Sequence, residues 1–317
     1  MYLVTGGAGF IGSNVAETLV RRGEKVRIFD DFSNGKWENL KTFAGDVEVI
    51  EGNLRDLDAV RRAVDGVIGV YHQAALRSVP RSVDNPLATN DVNITGTLQL
   101  LMASRDAGVK RVVAASSSSV YGANEDLPKR EDQMLLPVSP YAASKLAGEH
   151  YCRIFTRLYG LETVSLRYFN VFGPRQDPDS QYAAVVPLFI QAGLDGVPLT
   201  VHGDGMQSRD FTYIENVVQA NLRAMEAPEA AGEAFNIACG SRYTLMDIVH
   251  AIERELGRAL TCRHTPSRAG DVRHTLADIS KAERMLGFKP TVDFDDGMAR
   301  TVAYISSRNF SGRAASA

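Results

Sequence analysis

The chain opens on a short apolar run, Tyr2-Leu3-Val4, that ends in Thr5-Gly6-Gly7. A helical pattern follows, with Phe10, Ile11, Val15, Ala16, Leu19 and Val20 on one face and Gly23 as its stop. The stretch from Lys25 to Phe29 reads as a second strand, ending at Asp30. The alternation continues with a strand over 47–50, a helix over 57–64 and a strand over 67–71. A longer helix is expected from about 87 to 107, then a strand over 111–115, a helix over 140–159 and a strand over 163–166. Repeated strand–helix units predict an α/β fold, a doubly wound parallel sheet with helices on both faces.

After Asn170 the rhythm loosens and Gly and Pro become frequent, as in Gly173-Pro174 and Asp177-Pro178. Helices are expected over 183–194, 214–225, 245–256 and 279–286. The expected division is a sheet unit over residues 1–170 and a smaller C-terminal α/β lobe over 171–317, the two interleaved near their boundary. The tail from Ser306, rich in Ser, Arg and Ala, is expected to fray.

Composition narrows the class. The 317 residues are 44% hydrophobic and 23% charged, ordinary values for a globular protein able to bury a full core. A formal net charge of −3 gives no reason to expect nucleic acid or an anionic membrane. Cys152, Cys239 and Cys262 are isolated, which argues for a reducing compartment and against a structural zinc site. The glycine motif follows Met1 almost at once and no apolar run reaches the length of a membrane span, so the expected location is the cytoplasm. His72, His202 and His250 are widely spaced and read as structural rather than metal-binding.

Gly6, Gly9 and Gly12 keep a GxxGxxG spacing directly after a strand and at the opening of a helix. The first allows a tight turn, the second a close approach to a pyrophosphate, and the third close helix–strand packing. The helix N-terminus turns free N–H groups and the positive dipole end toward phosphates. Asp30, about twenty residues on, is placed for ribose hydroxyls and would repel a 2′-phosphate. These features specify a Rossmann arrangement binding NAD rather than NADP.

Tyr141 and Lys145 stand four residues apart on one predicted helix and so share a face. A positive charge about 6 Å away, at an effective dielectric near 20, favours a phenolate by about 3 kcal/mol, or about two pKa units. Lys145 and an oxidised nicotinamide ring together are therefore expected to bring Tyr141 near neutral pH, so that it can take a proton from a sugar hydroxyl as hydride leaves the same carbon. Upstream, the run Ser116-Ser117-Ser118-Ser119 follows a strand and can present a hydroxyl to the same oxygen.

The segments TGGAGFIG, SSSSVYG, SPYAASK and RYFNVFGPRQ, in this order, resemble the extended short-chain dehydrogenase/reductase family, specifically its nucleotide-sugar 4-epimerases. The resemblance runs from Tyr2 to about Gly297. It implies that hydride leaves C4 of a UDP-hexose for NAD, that Tyr141 takes the proton, and that hydride returns to the opposite face of the 4-keto sugar. It makes Ser117, Tyr141 and Lys145 the catalytic residues. It lays NAD along Gly6, Gly9, Phe10, Ile11, Gly12, Asp30, Asp31, Phe32, Ser33, Asn34 and Gly35. It continues the cofactor over Asn53, Leu54, Gln73, Ala74, Ala75, Arg77, Asn93, Ser116, Tyr141, Lys145, Tyr168 and Phe169.

Sister reactions in that family need carboxylates. Dehydratases typically carry Asp-Glu where this chain has Ser118 and Ser119, and decarboxylases carry Glu in place of Ser119. Without them, oxidation at C4 can only be undone, which favours epimerisation. UDP-glucuronate 4-epimerases share a similar serine run and are the alternative. The stretch from Arg167 to Pro178 is closer to the hexose and N-acetylhexosamine enzymes. A non-catalytic NAD-binding scaffold is the rival of another class, but such proteins commonly lose the tyrosine or the lysine.

For the substrate, the resemblance implies contacts from Ser117, Ser118, Tyr141, Asn170, Ala184, Val185 and the strand Thr200-Val201-His202. Arg209 and Arg268 look like a diphosphate clamp and Asp271 a ribose ligand. Thr275 aligns with the position that limits pocket size; being small, it leaves room for a 2-acetamido group, so UDP-GlcNAc and UDP-GalNAc are expected beside the plain hexoses. The helix over 140–159 is apolar on more than one side, and a homodimer pairing it with the helix near 98–102 would cover the second face.

Overall fold

The computed structural model describes residues 1–178, 183–266 and 273–314. Six parallel strands follow in chain order: β1 (Tyr2–Thr5), β2 (Val26–Asp30), β3 (Val47–Glu51), β4 (Gly69–His72), β5 (Arg111–Ser117) and β6 (Glu162–Tyr168). A seventh, Ala234–Ile237, pairs in parallel with β6, and the sheet runs 3-2-1-4-5-6 with this strand at the far edge. The order reverses between β1 and β4, where a crevice opens beyond the carboxyl ends of the strands. These strands are nearly continuous hydrophobic runs because both sheet faces are covered.

One face carries helices Phe10–Arg21 and Ile214–Glu226, which pack on each other. The other carries Leu57–Val64, Thr97–Asp106 and the long helix Pro140–Tyr159. The long helix begins at Ser139, whose hydroxyl accepts the Ala142 N–H, and stops at Gly160 in the left-handed conformation. Helix Ile214–Glu226 and strand Ala234–Ile237 come from the second half of the chain yet complete the sheet unit, so the interleaving is deep rather than marginal.

Two readings change. The helix expected over 87–107 is broken into Pro86–Asn90, a π-helical turn Asp91–Gly96, and Thr97–Asp106. The tail does not fray at Ser306, because helix Phe294–Ala314 runs through it. Met298, Val302 and Ile305 on that helix are buried in the main core, which supplies the reason. The second lobe otherwise consists of short two-stranded pairings and the helices Val185–Asp195, Leu245–Leu256 and Ser280–Leu286. No helix among the described residues is long and apolar enough to cross a membrane.

Candidate active site

The crevice at the switch point holds a groove of about 910 Å³. Gly6, Gly9, Phe10, Ile11, Gly12, Asp30, Asp31, Ser33, Asn34, Gly35, Asn53, Leu54, Gln73, Ala74, Ala75 and Arg77 all line it. Gly6 has φ +65°, and a Cβ there would lie 2.7 Å from the Ala74 nitrogen; a Cβ on Gly12 would lie 2.1 Å from the Gly6 carbonyl. The turn therefore closes only with glycine, and it brings main chain directly to the groove. The first helix starts at Gly9 with no side-chain cap, leaving its first-turn N–H groups to the groove.

Asp30 is almost fully buried, with its two carboxylate oxygens accepting from the Ala8 and Phe32 N–H groups at 2.9 Å each. Burial raises its pKa, opposed by those bonds. Each oxygen keeps a further lone pair for a hydroxyl donor. Asp31 is tied by Ser33 and by the Asn53 amide at 2.7 Å. An open helix N-terminus, a glycine cradle and a buried acceptor pair form a donor–acceptor set that fits a dinucleotide.

Four of the expected cofactor residues turn their side chains elsewhere. Phe169 is fully buried in a small core with Val120 and Tyr121, because residues alternate faces along the strand end. Phe32, at φ +53°, stacks on Trp37 at 4.6 Å. The Ser116 hydroxyl donates to Glu149, which also holds the buried Arg167. The Asn93 amide is engaged by Leu76 and Ser144.

Beyond the groove stand Ser117, at the end of β5, and Tyr141 and Lys145, on the first turns of the long helix. Ser117 stands close enough to the Tyr141 phenol to favour its ionised form. Ser117 Oγ accepts from the Ser119 N–H and hydroxyl, so the short turn beginning at Ser118 holds the serine in place. Burial acts on both members of the pair. Lys145 Nζ donates to the Ala115 carbonyl at 2.9 Å, and burial pushes its pKa down to about 8. Burial likewise raises Tyr141, and the opposing influences are Ser117 and the charge of Arg77. Desolvation outweighs the simple two-charge argument because both groups leave water together.

Tyr168 closes the far side, its hydroxyl between Gln73 and Asn221 at 3.1 Å from each. Asn221 escapes sequence reading, since it arrives on helix Ile214–Glu226 from the other half of the chain.

A second cavity, of about 1260 Å³, opens beneath helix Val185–Asp195. Asn170, Val185, Thr200, His202 and Arg209 line it. Ala184 is the residue that starts the helix. Val201 is not in the cavity wall: the strand Leu199–His202 alternates, so Thr200 and His202 face outward while Val201 enters the core. Asn170, at φ +33°, donates to the Asp210 carbonyl and joins the two halves. Asp210 is fully buried and accepts from the Cys239, Gly240 and Ala277 N–H groups, and burial raises its pKa to about 6. Gln207 also lines the cavity and, like Asp210, carries no sequence signal of its own. Thr275 sits beside this junction, its N–H on the Ser208 carbonyl and its Oγ1 buried with no hydrogen-bond partner among the described residues. Arg268 and Asp271 lie outside the described residues. Among the described residues no His/Cys/Asp/Glu group could hold a metal ion.

Comparison with known proteins gives a consistent picture. The profile described as "NAD dependent epimerase/dehydratase family" matches residues 2–238. A UDP-glucose 4-epimerase of Mycolicibacterium smegmatis is 37% identical over 97% of this chain and 99% of its own length. The structure of a UDP-N-acetylglucosamine 4-epimerase from Methanobrevibacter ruminantium, in complex with UDP-N-acetylmuramic acid, is 41% identical with a TM-score of 0.92 over 97% of this chain and 98% of that one. A UDP-glucuronic acid 4-epimerase from Bacillus cereus, in complex with UDP-glucuronic acid and NAD, is 33% identical with a TM-score of 0.90 over 97% and 99%.

Proposed function

Since the chain belongs to the NAD dependent epimerase/dehydratase family, as an NAD-dependent enzyme with UDP-sugar epimerases among its relatives, we propose that it inverts C4 of UDP-hexoses, both plain and N-acetylated. The observation that carries this reading is the placement of Ser117, at the carboxyl end of β5, beside Tyr141 on the first turn of the long helix, with hydroxyls rather than carboxylates at Ser118 and Ser119.

Bound NAD supplies a hydride acceptor, and later donor, facing the sugar carbon. Tyr141 accepts the C4 hydroxyl proton and returns it after the keto sugar has turned. Ser117 holds the same oxygen through its hydroxyl. Lys145, anchored on Ala115, keeps a positive charge beneath the phenol's helix turn. The serine turn carries no carboxylate to act as acid or base at C5 or C6, which favours return of the hydride over elimination. Arg209 faces the diphosphate from the cavity wall, with Arg268 as its partner in the clamp and Asp271 on the ribose. Residues 1–170 with the two late elements hold NAD, and the rest of 171–317 holds the nucleotide-sugar. A second copy covers the long helix, where Ile154, Leu158 and Tyr159 are exposed.

The test is purified protein given UDP-glucose, UDP-galactose, UDP-GlcNAc and UDP-GalNAc with no added NAD. Both pairs should interconvert. Tyr141→Phe should lower the rate by about 10³-fold while NAD stays bound, and light scattering should give a dimer. Turnover of UDP-glucuronate alone would favour the alternative substrate. An unchanged rate in Tyr141→Phe would remove Tyr141 from the chemistry.

A further inference from the structure

β4 ends on His72, which lies in register between Thr5 of β1 and Ala114 of β5. The ring is 5% exposed and both nitrogens are engaged. Nδ1 lies 2.7 Å from Thr5 Oγ1, and Nε2 lies 2.9 Å from Thr97 Oγ1. The neighbours fix which way these bonds run. Thr97 Oγ1 is 2.7 Å from the Asn93 carbonyl, which can only accept. Thr97 therefore donates its single proton there and accepts from the His72 Nε2–H. Nδ1 is then the lone-pair nitrogen and accepts from the Thr5 hydroxyl. Thr5 Oγ1 in turn accepts the Ala74 N–H at 3.3 Å. One neutral tautomer satisfies every partner, and a protonated ring would set a second N–H against the Thr5 hydroxyl's own proton. Burial, with the charge of Lys145 nearby, holds the ring neutral.

The two ends of this path lie on the two halves of the site. Ala74 lines the cofactor groove. At the other end, Asn93 Oδ1 accepts the Leu76 N–H at 2.8 Å, and Nδ2 donates to the Leu76 carbonyl at 3.1 Å and to Ser144 Oγ at 3.0 Å. Ser144 Oγ donates to the Tyr141 carbonyl at 2.8 Å. Directional bonds thus run from Ala74 through Thr5, His72 and Thr97 to the Asn93 carbonyl in the π-helical turn, and the Asn93 side chain separately joins Leu76 to Ser144 on the helix that carries Tyr141 and Lys145. That turn widens the helix where Asn93 must reach both partners.

We propose that His72 is a positioning residue: its fixed tautomer sets the register between the cofactor-lining turn 74–76 and the catalytic helix. The proposal rests on the reading of Tyr141 and Lys145 as the reacting pair. A phenylalanine would fill the ring's space but leave the Thr5 and Thr97 hydroxyls without their partner, freeing the two walls to shift. A displacement of about 1 Å between reacting groups costs up to about 100-fold in rate.

The experiment compares wild type with His72→Phe and His72→Gln; the glutamine retains an N–H where Nε2 sits. His72→Phe should lower kcat by about 10- to 100-fold, with KM and bound NAD within about twofold, and His72→Gln should recover most of the loss. Amide exchange at Ala74, whose N–H rests on the Thr5 hydroxyl that His72 holds, is read on the same proteins, is independent of any substrate, and should quicken by about 10-fold or more in His72→Phe. Unchanged exchange overturns the proposal, as does a lowered melting temperature with kcat intact, which would leave the ring a core-filling role. Should His72→Phe fail to fold, Thr97→Val cuts the same path one bond further on and is judged by the same readouts. A wild type inactive on every UDP-sugar would overturn the functional reading instead, and the exchange result would still decide the positioning.

Discussion

Around Gly6 and Gly12 the cofactor groove is walled by main chain, held so tightly that a single added methyl would collide with a carbonyl. Across the crevice, the cavity beneath Val185–Asp195 is larger and walled by side chains: Thr200, His202 and Arg209 from short strands, Gln207 from the loop between them, Leu188 and Phe189 from a helix. A wall of backbone recognises what every dinucleotide shares, its phosphates and ribose, and cannot be retuned one residue at a time. A wall of side chains can be. The seat of the phosphates is therefore fixed by backbone geometry in one half, with Asp30 adding the ribose contact, and substrate choice is left to individual residues in the other.

That contrast is most exposed at Gly12. Gly12→Ala would place a Cβ 2.1 Å from the Gly6 carbonyl. NAD affinity should fall by about 100-fold or more, equivalent to about 2.7 kcal/mol, while the substrate cavity is untouched. Titration of cofactor into the stripped variant measures it. Wild-type affinity would mean that the turn can open without cost and that the backbone wall is softer than its geometry.

On the other side the expected effect is selective rather than general. Thr275 Oγ1 is buried with no hydrogen-bond partner among the described residues. Thr275→Tyr should cut turnover of UDP-GlcNAc and UDP-GalNAc by about 10- to 100-fold, and leave UDP-glucose and UDP-galactose within about threefold. Equal losses on all four sugars would show that the residue supports the lobe rather than gating it. A wild type that rejects the N-acetylated pair would sink the gate argument itself.

The same contrast governs how much could be read before any coordinates. The glycine spacing, the strand–helix rhythm and the Tyr141–Lys145 spacing are local signals, and they yield the sheet unit with most of its groove. What local reading misses is set by distant segments. Strand Ala234–Ile237 is four apolar or neutral residues with no period, and only its pairing with β6 makes it part of the sheet. The π-helical turn at Asp91–Gly96 leaves no mark in a helical pattern, yet it orients Asn93. Val201 and Phe169 were assigned to ligand by resemblance along the chain, but alternation in a strand sends neighbours to opposite faces. The spacing of Tyr141 and Lys145 shows the charge that one can lend the other, but not the burial that both residues share.

Titration separates the two regions by sign, although the effect is smaller. His72 belongs to the cofactor side, and burial lowers its pKa from 6.5 to about 3. Between those values the unfolded chain binds a proton that the folded chain does not, so stability falls as pH falls, by about 1.4 kcal/mol per unit. Asp210 belongs to the substrate side, and burial raises its pKa from 3.8 to about 6. Between those values the folded chain holds the extra proton, so stability falls as pH rises, by a similar amount per unit. From pH 4 to 6 the two contributions oppose and nearly cancel in the wild type. Removing one should uncover the other. Relative to wild type, His72→Gln should gain stability as pH drops from 6 to 4, and Asp210→Asn should lose it. Every other titrating group is common to the three proteins and drops out of the differences. Denaturant unfolding at pH 4, 5, 6 and 7 supplies the curves, and variants that run parallel to wild type would show that neither buried group carries the shift its surroundings impose.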